Sequence, residues 1–155
     1  MKDAYYLKLF ILYIALVLSS CMSQAKEPIL QSLTISTKSG NDILYMVEVA
    51  STQKQLQRGL MYRESMSEDQ GMLFKYRPKQ EVSMWMKNTI LSLDMLFIDS
   101  TGSIINIVKN TTPLSQRTIP SGGVVLGVLE LNAGQADKHG MQVGDQVSHP
   151  IFDSH

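Results

Sequence analysis

LQSLTIST at residues 30–37 and ILYMVEVA at residues 43–50 decide the fold class. Both runs are rich in β-branched and apolar residues and alternate with period two, the pattern of half-buried strands. Between them stand Ser39, Gly40, Asn41 and Asp42, four residues that favour turns, so the two runs are expected to form a hairpin. The same reading outward along the chain finds strands at 72–76, 82–87, 93–99, 103–109, 124–131 and 145–149. Ser100, Thr101 and Gly102 make a tight turn that pairs the 93–99 and 103–109 segments. Two short helical pieces interrupt the strands. Thr52 is placed to cap a helix through TQKQLQRGL that Gly59 ends, and residues 132–139 form a helical turn closed by Gly140. Many short strands with turns between them predict a compact, mainly β domain, a sandwich or open barrel with one or two short helices.

In front of this domain, residues 1–8 are short and mildly basic, and LFILYIALVL at 9–18 is an unbroken apolar run. Ten residues are too few to cross a hydrocarbon core, which takes about 20, and they match the apolar region of a signal peptide. A buried core helix or an uncleaved anchor is the alternative. The sequence Leu18-Ser19-Ser20-Cys21 resembles the lipobox of bacterial lipoproteins, in which small residues admit the backbone to a protease cleft and the cysteine thiol takes lipid. This implies a signal peptide at 1–20, lipid attachment with palmitate-type acyl chains at Cys21, a polar tether at 21–29 and a single domain at 30–155. The protein is then expected in the cell envelope, facing the periplasm. Met22 rather than aspartate after the cysteine favours the outer membrane in a Gram-negative host.

The 155 residues carry 14 basic and 14 acidic side chains; without Lys2, Lys8 and Asp3 the mature chain holds 12 against 13. No basic tract invites nucleic acid, which needs a clustered electrostatic footprint. Cys21 is the single cysteine, so no internal disulfide is available and the core alone must hold the fold.

Several ordered motifs resemble one prokaryotic family, the domain of unknown function 192. They are Val49-Ala50, Arg58-Gly59-Leu60-Met61 with Arg63, and Gly71-Met72-Leu73-Phe74. Trp85-Met86-Lys87-Asn88-Thr89, Leu93-Asp94, Phe97-Ile98-Asp99 and Gly102 follow. Val128-Leu129-Glu130-Leu131, Ala133-Gly134, His139-Gly140 and Gly144-Asp145 complete the set. The resemblance spans about residues 44–147, departs mildly between Thr111 and Gly123, and implies a compact β domain without an assigned activity.

Polar residues within these motifs form the candidate binding surface: Arg58, Arg63, Trp85, Lys87, Asn88, Asp94 and Glu130. In a strand, Trp85 and Lys87 share one face and Met84 and Met86 the other. With the methionines inward, an outward tryptophan beside basic groups suits a sugar ring or an anionic group. The alternative is scaffold, with Trp85 packed under a loop and Arg58 paired to Asp94 or Glu130. An envelope hydrolase using Asp94 and Glu130 as a carboxylate pair is a second reading. A soft-metal protein using Met84, Met86 and one of His139, His149 or His155 is a third, although methionines at period two also read as core. No zinc, calcium or phosphate-loop signature occurs, and no cofactor is implied. The leading expectation is a lipid-anchored module that binds a small molecule, glycan or protein and performs no chemistry itself.

Overall fold

The computed structural model describes residues 28–153. The expected signal peptide, Cys21 and most of the expected tether lie outside the described residues, as does His155. Within them nine strands and two short helices follow in the order β1 (Leu30–Ser36), β2 (Asp42–Ala50), α1 (Gln53–Arg58), β3 (Gln70–Gln80), β4 (Ser83–Met84), β5 (Leu93–Ile98), β6 (Ile104–Val108), β7 (Ile119–Pro120), β8 (Val125–Asn132), α2 (Gln135–Lys138) and β9 (Gln146–Ser148). Seven strands form one sheet in the order β6-β5-β8-β3-β2-β1-β9, and β4 pairs with β7 in a small second sheet. The mainly β class is as the sequence predicts. No described helix is long and apolar enough to cross a membrane.

The large sheet curls until its two edges meet. Ser103 bridges Gln146 across the seam. The Val147 amide donates to the Gly102 carbonyl at 2.8 Å, and the Gly144 amide to the Ile104 carbonyl at 2.7 Å. Gly102 has φ +84, and a Cβ there would stand 2.5 Å from the Val147 carbonyl oxygen. Only glycine accepts both that conformation and that approach.

Curling gives the sheet an inner and an outer face, and both are covered. Inside, Leu33, Ile35, Tyr45, Val47, Leu73, Leu96, Leu129 and Leu131 belong to one cluster. Outside, Leu60, Met72, Phe74, Met84, Met86, Met95, Phe97 and Val128 make a second, where the α1 end, β4 and the following turn lie over the sheet. All six residues of β5 are therefore buried. Strand alternation assigns each side chain to a face.

The expected hairpins form, with β1 antiparallel to β2 and β5 antiparallel to β6. So does the capped helix: the Thr52 side chain accepts from the Gln55 amide and Gln55 reaches back, a capping box, with Gly59 at the C-cap. Three features go beyond the local signals. β2 and β3 pair in parallel, with α1 in the connection between them. β7 arises inside the stretch where the family pattern weakens, and pairs with β4. The strand expected at 82–87 ends at Met84, because the chain turns: the Thr89 amide donates to the Met86 carbonyl, and Asn88 takes φ +56, a left-handed conformation that asparagine tolerates.

Candidate functional site

Register across four strands sets out the site. On the outer face Glu48 lies opposite Met72, Met72 opposite Glu130, and Glu130 opposite Met95. Glu130 thus stands between two methionines, 4% exposed, while the other acid of the row, Glu48, lies beyond Met72 and pairs with Arg63. Above it the chain leaves a cavity of about 90 Å³ between the end of α1, β3 and β4. Leu60 and Met61, Phe74 and Tyr76, and Ser83 to Trp85 line it, with Arg58 at the end of α1 and Glu130 on the sheet.

Polar contacts around the cavity are sparse. The Tyr76 hydroxyl donates to the Met84 sulfur at 3.3 Å. Among the described residues no hydrogen bond reaches the Glu130 carboxyl, and burial alone pushes its pKa up to about 8. Tyr76 is raised to about 12, first by burial and then by the Glu130 charge, which places the two groups in each other's field. At neutral pH the cavity therefore presents a protonated carboxyl, both a donor and an acceptor.

Trp85 stands at the rim, 46% exposed, and the Lys87 ammonium lies 5.3 Å from its ring centroid in a cation–π contact. Met84 and Met86 are buried at 8% and 1% exposure, so the alternation expected for this segment holds although the strand itself stops. Asn88 supports the wall. Its carbonyl accepts from the Tyr62 amide at 2.9 Å, and its side-chain amide approaches the Met61 sulfur at 3.9 Å.

The seven candidate residues do not form one cluster. Arg58, Trp85 and Glu130 line the cavity, while Lys87 and Asn88 act on its walls. Arg63 instead forms an ion pair with Glu48 beside an adjoining hollow that Arg58 also borders. The alternative scaffold pairing of Arg58 with Asp94 or Glu130 does not occur among the described residues. Asp94 lies opposite Leu131 and so points to the inner face, with Leu96 and Ile98 on its own strand. There it is 0% exposed, accepting from the Asn110 amide at 2.9 Å and the Ala136 amide at 2.8 Å. The sheet itself separates Asp94 from Glu130, and a carboxylate pair flanking one substrate bond is overturned.

Among the described residues the soft-metal constellation is not assembled either. Met84 and Met86 pack in the outer cluster. His149 stands beside Ile151, a member of the inner cluster, and accepts from the Ile151 amide. His139 caps α2. No group of three His, Cys, Asp or Glu among the described residues is placed to hold a metal.

Phe74, Tyr76 and Met61 were not among the candidate site residues, although Met61 and Phe74 stand in the family motifs. One signal for the site was present: in VLGVLEL a single acid follows the period-two face of Val128, so Glu130 had to be buried on an apolar face or disrupt it.

Crystal structures similar to this chain include the following two. A protein from Sinorhizobium meliloti 1021, described provisionally as a transcription regulator, is 43% identical with a TM-score of 0.77, over 79% of this chain and 95% of that one. A protein of unknown function from Novosphingobium aromaticivorans DSM 12444 is 30% identical, also with a TM-score of 0.77, over 81% of this chain and 89% of that one. No curated protein matches. A family model matches residues 34–149, across both sheets and every residue of the cavity, and the chain belongs to that family, the domain of unknown function 192 (DUF192), described as "Uncharacterized ACR".

Proposed function

We propose that this protein is a lipid-anchored envelope module whose domain binds a small polar ligand in the cavity between α1 and β4. One observation carries the binding reading: a half-exposed tryptophan stands over a cavity that contains an unpartnered carboxyl. Buried polar groups are normally satisfied, and one left open toward a cavity with an aromatic rim fits a ligand's polar group. A nucleic-acid partner would suit the provisional regulator description of the S. meliloti protein. The near balance of 12 basic and 13 acidic residues in the mature chain does not favour that partner here.

A thermal-shift screen of the full-length chain against cell-wall sugars, peptides and small ions tests the binding. A ligand that occupies the native state raises Tm in proportion to the logarithm of its concentration, by about 2.7 kcal/mol of stability at one hundred times Kd. Trp85→Ala is expected to abolish that shift while leaving the unliganded Tm within a few degrees, because the ring is half in solvent. A shift of equal size in Trp85→Ala places the ligand elsewhere.

The anchor rests on the Leu18-Ser19-Ser20-Cys21 sequence. With Cys21→Ser, metabolic labelling with palmitate is expected to disappear and the mature-size band with it, since cleavage at a lipobox follows lipidation. Unchanged labelling of the Cys21→Ser chain refutes the anchor.

A further inference from the structure

We infer that the cavity between α1 and β4 takes the ammonium end of a small zwitterion, seated between Glu130 and the rings of Trp85, Tyr76 and Phe74, with the ligand's carboxylate turned to Arg58. This rests on the binding reading above and specifies its ligand.

Four observations carry it. First, Glu130 is an acid without a counter-charge. Arg58 borders the same cavity yet forms no ion pair with it among the described residues, and Arg63 is engaged by Glu48. Second, the walls suit a soft cation. Three aromatic residues and the thioethers of Met61 and Met84 line the space, and ring faces attract ammonium groups, above all quaternary ones. Trp85 already holds one cation, the Lys87 ammonium at 5.3 Å. Third, the space of about 90 Å³ is open at its rim, where Trp85 is 46% exposed, so a cationic head group can enter between the rings while the rest of the ligand stays outside. Fourth, Arg58 offers a planar fork for a carboxylate where the cavity meets the adjoining hollow.

The charged and titratable groups about Glu130 are Tyr76 from β3, Arg58 from α1 and, beyond Met72, Glu48 from β2 with its partner Arg63. β4 brings Ser83 and Met84, and the facing β5 position is Met95, none of them ionisable. A cation entering this space favours the ionised carboxylate, whereas an uncharged ligand leaves it protonated. Cation binding therefore releases a proton from Glu130 at neutral pH and strengthens as pH rises.

Trp85 is the chain's single tryptophan, so intrinsic tryptophan fluorescence of the full-length protein reports on this cavity alone. Titrations with glycine betaine, choline, acetate and N-acetylglucosamine at pH 6 and pH 9 separate the possibilities. Glycine betaine is expected to give a saturable change at pH 9 and to bind at least tenfold more weakly at pH 6, where the competent ionised fraction is small. Glu130→Gln is expected to weaken binding at least tenfold and to remove its pH dependence. Arg58→Gln weakens glycine betaine about tenfold and leaves choline unchanged. Equal affinity at the two pH values, or unaltered binding by Glu130→Gln, overturns the inference. Saturation by N-acetylglucosamine or acetate but by neither ammonium compound keeps the binding module and rejects its cationic ligand. No response to any of the four overturns the zwitterion.

Discussion

Glu130→Gln is expected to raise the Tm of the unliganded protein at pH 7 by roughly 10 °C, a gain of roughly 3 kcal/mol. The carboxyl has a folded-state pKa of about 8 against an ordinary value of 4.5, with burial as the cause. Because the folded value lies above the unfolded one, the native chain holds the proton more tightly than the unfolded chain. The associated stability is complete below about pH 4.5 and is lost progressively as pH rises toward about 8. Glutamine has nearly the same shape, fills the same place and has no proton to lose. The difference between the two proteins should be small at pH 4, widen through neutrality, and level off above pH 8 at roughly 5 kcal/mol. Chemical denaturation across pH 4–9 measures it. Two parallel stability profiles would show that Glu130 is ionised and well solvated in the native state, and would remove the protonated acid from the cavity. A residue retained at such a cost is the kind found at functional sites, where stability is exchanged for activity.

Asp94→Ala is expected to act in the opposite direction, lowering stability by about 3–5 kcal/mol in urea unfolding. Its carboxylate accepts from the Asn110 amide, in the turn after β6, and from the Ala136 amide, in the first turn of α2. The two segments are thereby tied to the start of β5 from within the curled sheet. Removal leaves two backbone donors unpaired and a void among Leu96, Leu131 and Ala136. Asp94→Asn should cost less, since its amide oxygen still accepts from one donor while its NH₂ group opposes the other. A loss under 1 kcal/mol for Asp94→Ala would contradict the anchoring role. Ligand affinity at the cavity should be unchanged wherever the variant remains folded, because the sheet lies between Asp94 and the α1 side.

These two acids mark the limit of what sequence signals deliver. Helix α1 was legible because its cap, its Gln55 partner and its terminating Gly59 all lie within eight residues. The β1–β2 hairpin was legible because a turn of Ser39 to Asp42 stands between two alternating runs. Met84 and Met86 inward with Trp85 and Lys87 outward followed from period two, even where the strand itself broke off at Asn88. The parallel β2–β3 pair, the β4–β7 pair and the seam between β6 and β9 carried no comparable local mark. Each joins segments whose backbone partners are fixed only when the whole sheet curls.

The alternation of residues 30–50 thus determined by itself that this chain folds as a mainly β domain, and the capping pattern at Thr52–Gly59 placed its first helix. Both rest on interactions within a few residues, which any short stretch of chain can express. Tertiary structure alone decided what LDMLFI and VLELN do with their single acids. Side-chain direction alternates along a strand, but the inner or outer sense of that alternation is set by register with neighbours and by what covers each face. That register sends Asp94 inward to two amides 16 and 42 residues away, and Glu130 outward to none, beneath Trp85.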